Sequence, residues 1–255
     1  MQISRRTRPV AAVLGTLTVG ALLAACSSGS AGGPSTASTP GTPASTGSST
    51  DTGSAPASAP DKAALSKLLL TQADLPSGWA ASAAQTSADD GAAQSRFAKC
   101  VGIRDTHADK VAEADSQEFS NQTASISSSA SSYSSAADIA ADKGAFRDGA
   151  KATRCMTTML RSEMSGQLPS GATLEDINLK VLPGSNGGPA NVIAKITGTI
   201  KVTSSGHQLQ VYLDSTYIAG DQIEAEVDFE SFSAPVDAAL QTKLVQAVAR
   251  RVAGD

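Results

Sequence analysis

The sequence predicts an α+β domain: a twisted antiparallel β-sheet of about five to six strands, with helices packed on one side and a C-terminal helix. Two observations predict this class. Apart from one weak strand at residues 123–133, helical spacing and strand-like alternation occupy separate parts of the chain, with helices before about residue 165 and after about residue 235. The alternating segments have one apolar and one polar face, which is typical of a sheet that is covered on one side.

The helical segments show apolar residues three or four positions apart. Residues 61–70 and 135–164 have this spacing. The same helical spacing relates Ile103, His107 and Val111. It predicts that His107 is a partly buried packing residue. The closing helix begins at Pro235, a favoured first helical residue. Its apolar stripe recurs every four residues, at Val236, Leu240, Leu244 and Val248.

The strands are predicted from alternation. Residues 123–133 read as a weak strand with one very polar, serine-rich face. Four clearer strands follow, at about 174–182, 190–203, 207–218 and 222–232. Glycine- and serine-containing turns separate them, so an antiparallel meander is expected. The last strand carries an acid at every second position: Glu224, Glu226, Asp228 and Glu230. These four residues are called the carboxylate row below.

The N-terminal segment has the organisation of a lipoprotein signal peptide. Arginines at positions 5, 6 and 8 precede an uncharged run, residues 10–25, which is shorter than the roughly 20 residues of a transmembrane helix. The run ends in Leu23, Ala24, Ala25 and Cys26, which resembles a bacterial lipobox. This resemblance implies cleavage after residue 25 and a lipid on Cys26, holding the protein on the extracytoplasmic face of the cell membrane. The alternative is an uncleaved anchor that contains a cysteine by chance.

A tether follows the signal. Of the 34 residues from Ser27 to Pro60, 33 are Ser, Thr, Gly, Pro or Ala, and Asp51 carries the only charge. Such a stretch has no apolar surface to offset the entropy lost on ordering. We therefore expect residues 1–25 to be the signal peptide, residues 26–60 the lipidated cysteine and a disordered tether, and residues 61–255 one α+β domain.

Cys100 and Cys155 are the only cysteines of the predicted domain. In an exported domain an isolated pair most simply forms a disulfide. The alternative is a catalytic thiol, for which the only histidines available as bases are His107 and His207.

Composition and spacing argue against several kinds of site. The formal charge of −4 argues against a nucleic-acid binder, and two histidines and three cysteines offer few metal ligands or general bases. Alternate strand residues lie about 6.6 Å apart, which is too far for the carboxylate row to share a calcium ion. The row is expected instead to be a solvated face with ordinary pKa values, paired with Lys195 and Lys201. No metal, cofactor or catalytic residue is expected.

Several features together carry a family resemblance. They are the lipobox, the tether, the segment Leu68–Trp79, the two domain cysteines and the C-terminal segment 211–251. The chain resembles actinobacterial cell-surface lipoproteins, and its domain is similar to the extracellular sensor domain of PknH-type mycobacterial receptor kinases. The resemblance implies a twisted antiparallel sheet surrounded by helices, a cleft for an unidentified ligand and no catalytic residues. Those sensor domains typically have two disulfides, whereas this domain can form one.

Two functional classes follow. The first is a lipid-anchored, non-enzymatic ligand-binding or sensory module, whose partner is an unknown small molecule, wall polymer or protein. The alternative is a carrier of lipids or other hydrophobic molecules across the cell envelope. A carrier needs a large apolar cavity, and a chain with five Phe, one Trp and 45 Ala has side chains enough only to fill a core. Trp79 is the candidate aromatic contact for a ligand, with a core position as the alternative.

Overall fold

The computed structural model describes residues 58–84, 90–184 and 191–254, with Asp90 described through its backbone alone. The predicted signal peptide, Cys26 and nearly all of the tether lie outside these ranges. The helices, numbered α1 to α5, are Lys62–Ser66, Asp90–Val101, Ala136–Ala145, Gly149–Gln167 and Ala238–Ala253. The strands, numbered β1 to β8, are Ala80–Ser82, Lys110–Asp115, Glu118–Ser120, Ala124–Tyr133, Ala172–Pro183, Val192–Ser204, His207–Ala219 and Ile223–Ser231.

The strands form one antiparallel sheet in the order β1-β3-β4-β8-β7-β6-β5, and β2 also pairs with β4. The α+β class and the meander from β5 to β8 are confirmed. The sheet has eight strands, more than the five to six expected. Three of them, β1 to β3, are only three to six residues long. Segments of that length are too short for alternation to reveal them.

The closing helix begins at Ala238, three residues after Pro235. Asp237 is its N-cap, and its Oδ1 accepts a hydrogen bond from the backbone N–H of Leu240 at 2.9 Å. The predicted long helix is divided into α3 and α4 around Phe146. None of the helices in the described ranges is both long and apolar enough to span a membrane.

Helices cover both faces of the sheet, not one. Residues of α1 and α5 pack on alternate β8 residues, among them Ala225, Val227 and Phe229. Residues of α4 pack on the opposite face, against Ala194 and Ile196 of β6. The buried apolar residues therefore lie on one face of the sheet in β6 and on the other face in β8. Helices cover each part of the sheet on the face where its apolar side chains lie.

This change of face decides the environment of the carboxylate row. Ile196 of β6 lies opposite Ser215 of β7, and Ser215 lies opposite Asp228 of β8. Side chains at directly paired positions point to the same face of a sheet. The row of Ile196, which faces α4, thus continues across the sheet into the row of acids.

Candidate functional site: an acid-lined cavity

Serines of β4 stand directly opposite the carboxylate row of β8. In the order of the row, the opposing residues are Ser131, Ser129, Ser127 and Ser125. On the other side of β8, Glu226 lies opposite Tyr217 and Asp228 lies opposite Ser215. The small serines leave space above this part of the sheet, and the row is bordered by hydroxyl groups.

A cavity of about 140 Å³ lies between this face of the sheet and helices α2, α3 and α4. Its walls are mostly apolar and aromatic, and include Phe97, Phe146, Met156, Leu160, Tyr133 and Tyr217. Four acids also line it: Glu113, Asp142, Glu224 and Glu226. Among the described lining residues, none is Lys, Arg or His. We call this site the acid-lined cavity.

Glu226 is the most deeply buried acid of the cavity, with 4% of its surface exposed. Tyr217 and Asp228 are its hydrogen-bonding neighbours, but its Oε1 is buried without a hydrogen-bond partner. Burial, followed by the charge and the hydrogen bond of Asp228, raises the pKa of Glu226 well above its usual value. Glu226 therefore keeps its proton to a higher pH than an exposed glutamate does.

Asp228 shares a proton with Glu226. Its carboxyl group accepts a hydrogen bond from the Ser215 hydroxyl. Burial raises the pKa of Asp228 to about 6, and the hydrogen bonds from Ser215 and Glu226 limit the rise. In the hydrogen bond between the two carboxyl groups, Glu226 is the donor and Asp228 the acceptor.

A second pair of acids joins β8 to α3. Asp142 accepts a hydrogen bond from the hydroxyl of Thr106, with Oγ1 at 2.9 Å from Oδ1 and 3.2 Å from Oδ2. Burial raises the pKa of Asp142 to about 6, and the hydrogen bonds from Thr106 and Glu224 limit this rise. Burial and then the charge of Asp142 raise the pKa of Glu224 well above its usual value. Glu224 is half-buried as a whole, but its Oε2 is buried without a hydrogen-bond partner.

Lys110 lies on β2 beside the cavity. Its Nζ lies 3.3 Å from Oε2 of Glu113, so its charge is engaged with one of the four lining acids. Burial lowers the pKa of Lys110, and the charge of Glu113 opposes this effect. The pair adds no net charge, which leaves Asp142 and Asp228 as sources of negative potential.

The prediction that the carboxylate row is a solvated face with ordinary pKa values is wrong. Helices α2 to α4 cover that face at Glu224 and Glu226. Lys195, expected to pair with the row, lies on the opposite face, 3.5 Å from Asp214 and 3.1 Å from Gln241 of α5. Within the described ranges, no cluster of His, Cys, Asp or Glu has the arrangement needed to hold a metal ion.

The predicted disulfide is present in the structure. Cys100 of α2 and Cys155 of α4 are bonded, with their Cα atoms 5.9 Å apart. Both helices contribute to the cavity wall, through Phe97 of α2 and Met156 of α4 among others. The disulfide therefore ties together two elements that cover the acids.

Trp79 lies away from the acid-lined cavity. It is partly buried and packs against the cluster between β8, α1 and α5, on the other face of the sheet. The structure contains no ligand, so the ligand-contact role of Trp79 stays a prediction.

The histidines also lie apart from the cavity lining. His107 lies in a short 3-10 turn, not in a helix with Ile103 and Val111, because Val111 belongs to β2 and is 56% exposed. His107 Nδ1 is buried without a partner. His207 is exposed at the start of β7.

The chain matches no family model and no curated protein. Among solved structures it is similar to the extracellular domain of PknH from Mycobacterium tuberculosis, with a TM-score of 0.38 and 9% sequence identity. The match covers 77% of this chain and 98% of that domain. A likeness at this level carries no functional argument.

Proposed function

We propose that the protein is a lipid-anchored, extracytoplasmic module that binds a small ligand in the acid-lined cavity and does not transform it. The observation that carries the binding proposal is the pair of buried carboxyl oxygens, Glu224 Oε2 and Glu226 Oε1, without hydrogen-bond partners. An unsatisfied buried polar group costs about 1 to 3 kcal/mol. A ligand that supplies donors to these oxygens would remove that cost.

Binding without turnover is supported by the hydrogen bonds of the acids. Glu226 is engaged with Asp228 and Tyr217, and Glu224 with Asp142. A general acid or base must exchange its proton with the reacting group. In these pairs the shared proton lies in a hydrogen bond between two protein groups, so neither acid directs its proton at the ligand.

The cavity supports a small ligand better than the alternative role, transport of hydrophobic molecules. Its volume of about 140 Å³ is below the roughly 300 to 1,000 Å³ typical of sites for drug-sized ligands. An acyl chain would also leave the unpartnered oxygens of Glu224 and Glu226 without donors.

The anchoring part of the proposal rests on the lipobox and the tether. We expect metabolic labelling with a fatty acid to mark the wild-type protein, and Cys26→Ala to abolish the label because the acylated thiol is absent. Ser27→Ala, which alters the neighbouring residue and keeps the thiol, is the matched control and should remain labelled. A labelled Cys26→Ala protein would contradict the anchoring proposal.

The binding part is tested by native mass spectrometry of the protein purified from its host. We expect a retained small molecule on the wild type and its loss in Ser129→Met, since Ser129 lines the cavity opposite Glu226. Ser127→Met is the matched control: the same change on the same face of β4, outside the residues that line the cavity. Thermal melts check that both variants fold.

Each outcome of this experiment is informative. Wild type without any retained ligand would contradict binding. A retained lipid would favour the carrier function instead. Equal retention by both methionine variants would place the ligand outside the acid-lined cavity.

A further inference from the structure

We propose that the acid-lined cavity selects a small organic cation, a protonated primary amine with an apolar body. This inference rests on the proposed function and adds the chemical class of the ligand. It follows from the charge of the lining, from its unpartnered acceptors and from the nature and size of its walls.

The charge of the lining favours a cation. Of the described residues that line the cavity, four are acids and none is basic. Lys110, beside the cavity, is engaged with Glu113 at 3.3 Å. An anionic ligand would enter against the charges of Asp142 and Asp228 in a site of low dielectric, where like charges repel strongly.

The unpartnered acceptors favour a ligand with N–H groups. Oε2 of Glu224 and Oε1 of Glu226 are buried and accept no hydrogen bond. A primary ammonium has three N–H donors, whereas a quaternary ammonium has none. Hydrogen bonds from an ammonium to a carboxylate are also stronger than those between neutral groups.

The walls favour an apolar and preferably aromatic body. The rings of Phe97 and Phe146 are 5.9 Å apart between centroids, and those of Phe146 and Tyr217 are 5.0 Å apart. Aromatic faces attract a nearby cation as well as apolar surface. The volume of about 140 Å³ is close to that of a cavity of about 150 Å³ known to bind benzene.

Binding should release a proton. Before binding, the Glu226 carboxyl donates a hydrogen bond to Asp228. An ammonium beside Glu226 favours its carboxylate form, so the Glu226 carboxyl gives up its H⁺ to the solvent and the R–NH₃⁺ pairs with the resulting carboxylate. The titratable and charged groups around Glu226 come from its own strand, from β7, β4 and β2, and from α3. They are Glu224, Asp228, Tyr217, Tyr133, Lys110, Glu113 and Asp142.

The test is a calorimetric titration of the full chain in neutral detergent, near pH 6.5, with three ligands of one shape. They are benzylamine, benzyl alcohol and benzoate, which are cationic, neutral and anionic; titrations into detergent alone are subtracted. We expect benzylamine to bind at least tenfold more tightly than benzyl alcohol, and benzoate not to bind. Repeating the benzylamine titration in buffers of different ionisation enthalpy should reveal the released proton.

Glu226→Gln should weaken benzylamine binding at least tenfold and abolish the proton release. Glu230→Gln is the matched control, because Glu230 lies on the same strand and face but does not line the cavity. It should bind benzylamine as the wild type does.

The inference is overturned if benzyl alcohol or benzoate binds as tightly as benzylamine, if none of the three binds, or if Glu226→Gln binds benzylamine like the wild type. These failures are distinguishable from failure of the proposed function. A host ligand retained in native mass spectrometry, together with no preference for the amine, overturns only the inference. Absence of any retained ligand overturns the proposed function.

Discussion

The protein should lose on the order of 5 kcal/mol of unfolding free energy between about pH 5 and about pH 8, with a fall in Tm of roughly 10 °C or more. The cause is the set of acids whose pKa burial raises in the folded state. For Asp142 and Asp228 the folded pKa is about 6, from an ordinary 3.8. For Glu230 it is about 7, from an ordinary 4.5, because of burial and then the charges of Glu118 and Asp228.

The sign follows from proton binding. Between the ordinary pKa and the raised one, the folded state holds more protons than the unfolded state, so raising the pH favours unfolding. The stabilisation is complete below the unfolded pKa values and is lost as the pH rises through 6 and 7. Asp138 acts in the opposite direction: burial raises its pKa, but hydrogen bonds from Ser135 and Arg104 outweigh this and lower it. Its stabilisation is present above the ordinary pKa of 3.8 and is lost in stronger acid.

Denaturant unfolding or calorimetry across this pH range measures the effect. Asp228→Asn keeps the acceptor for Ser215 and removes the titrating group, so the variant should show a flatter profile and exceed the wild type in stability at pH 8. Asp221→Asn, in the exposed turn before β8, is the matched control and should follow the wild-type profile. Stability that is level or rises from pH 5 to pH 8 would contradict the burial of these acids.

Removing the disulfide should cost about 4 kcal/mol, because the bond closes a loop of 55 residues and restricts the unfolded chain. For a domain of this size the loss corresponds to a fall in Tm of roughly 10 °C. The measurement compares the wild type, oxidised and reduced, with the double variant Cys100→Ser and Cys155→Ser. The reduced wild type and the double variant should have the same Tm.

The disulfide also bears on the cavity, since α2 and α4 both line it. We expect the double variant to bind benzylamine more weakly even at temperatures where it is fully folded. Two alkylated thiols in unreduced, unfolded wild type would contradict the disulfide itself. An unchanged Tm after verified reduction would contradict its contribution to stability.

The local patterns predicted much of the fold. Strands β5 to β8 are 9 to 13 residues long, and each shows its alternation within its own segment. The connections from β6 to β7 and from β7 to β8 are two and three residues long, so these sequence neighbours pair. The helix α5 was equally readable, because Leu244 and Val248 repeat at helical spacing and both are fully buried.

The environment of the carboxylate row was not predictable from β8 alone. A strand with acids at every second position has the same sequence pattern whether its polar face meets water or is covered by helices. The covering helices α2 to α4 end about 55 residues or more before β8 in the chain. The burial of Glu226 therefore depends on packing between segments distant in the sequence. Because burial raises its pKa, the expectation of an ordinary pKa was wrong.

A signal for this burial was nevertheless present in the turns. The hairpins fix the pairs Ser204 with His207 and Ala219 with Glu224. Counting back from these pairs places the apolar row of Ile196 on the same face as Asp228. That register would have shown that the acids share a face with part of the core.

The burial of the Glu226 carboxyl, on which the cavity, its charge and its ligand class depend, is tested most directly by a ¹³C NMR pH titration of protein labelled at the glutamate carboxyl carbons. The Glu226 resonance is assigned by its absence from Glu226→Gln. We expect this carboxyl to titrate well above its usual pKa. A Glu226 resonance that titrates at the ordinary value of 4.5 would contradict the buried, proton-sharing site.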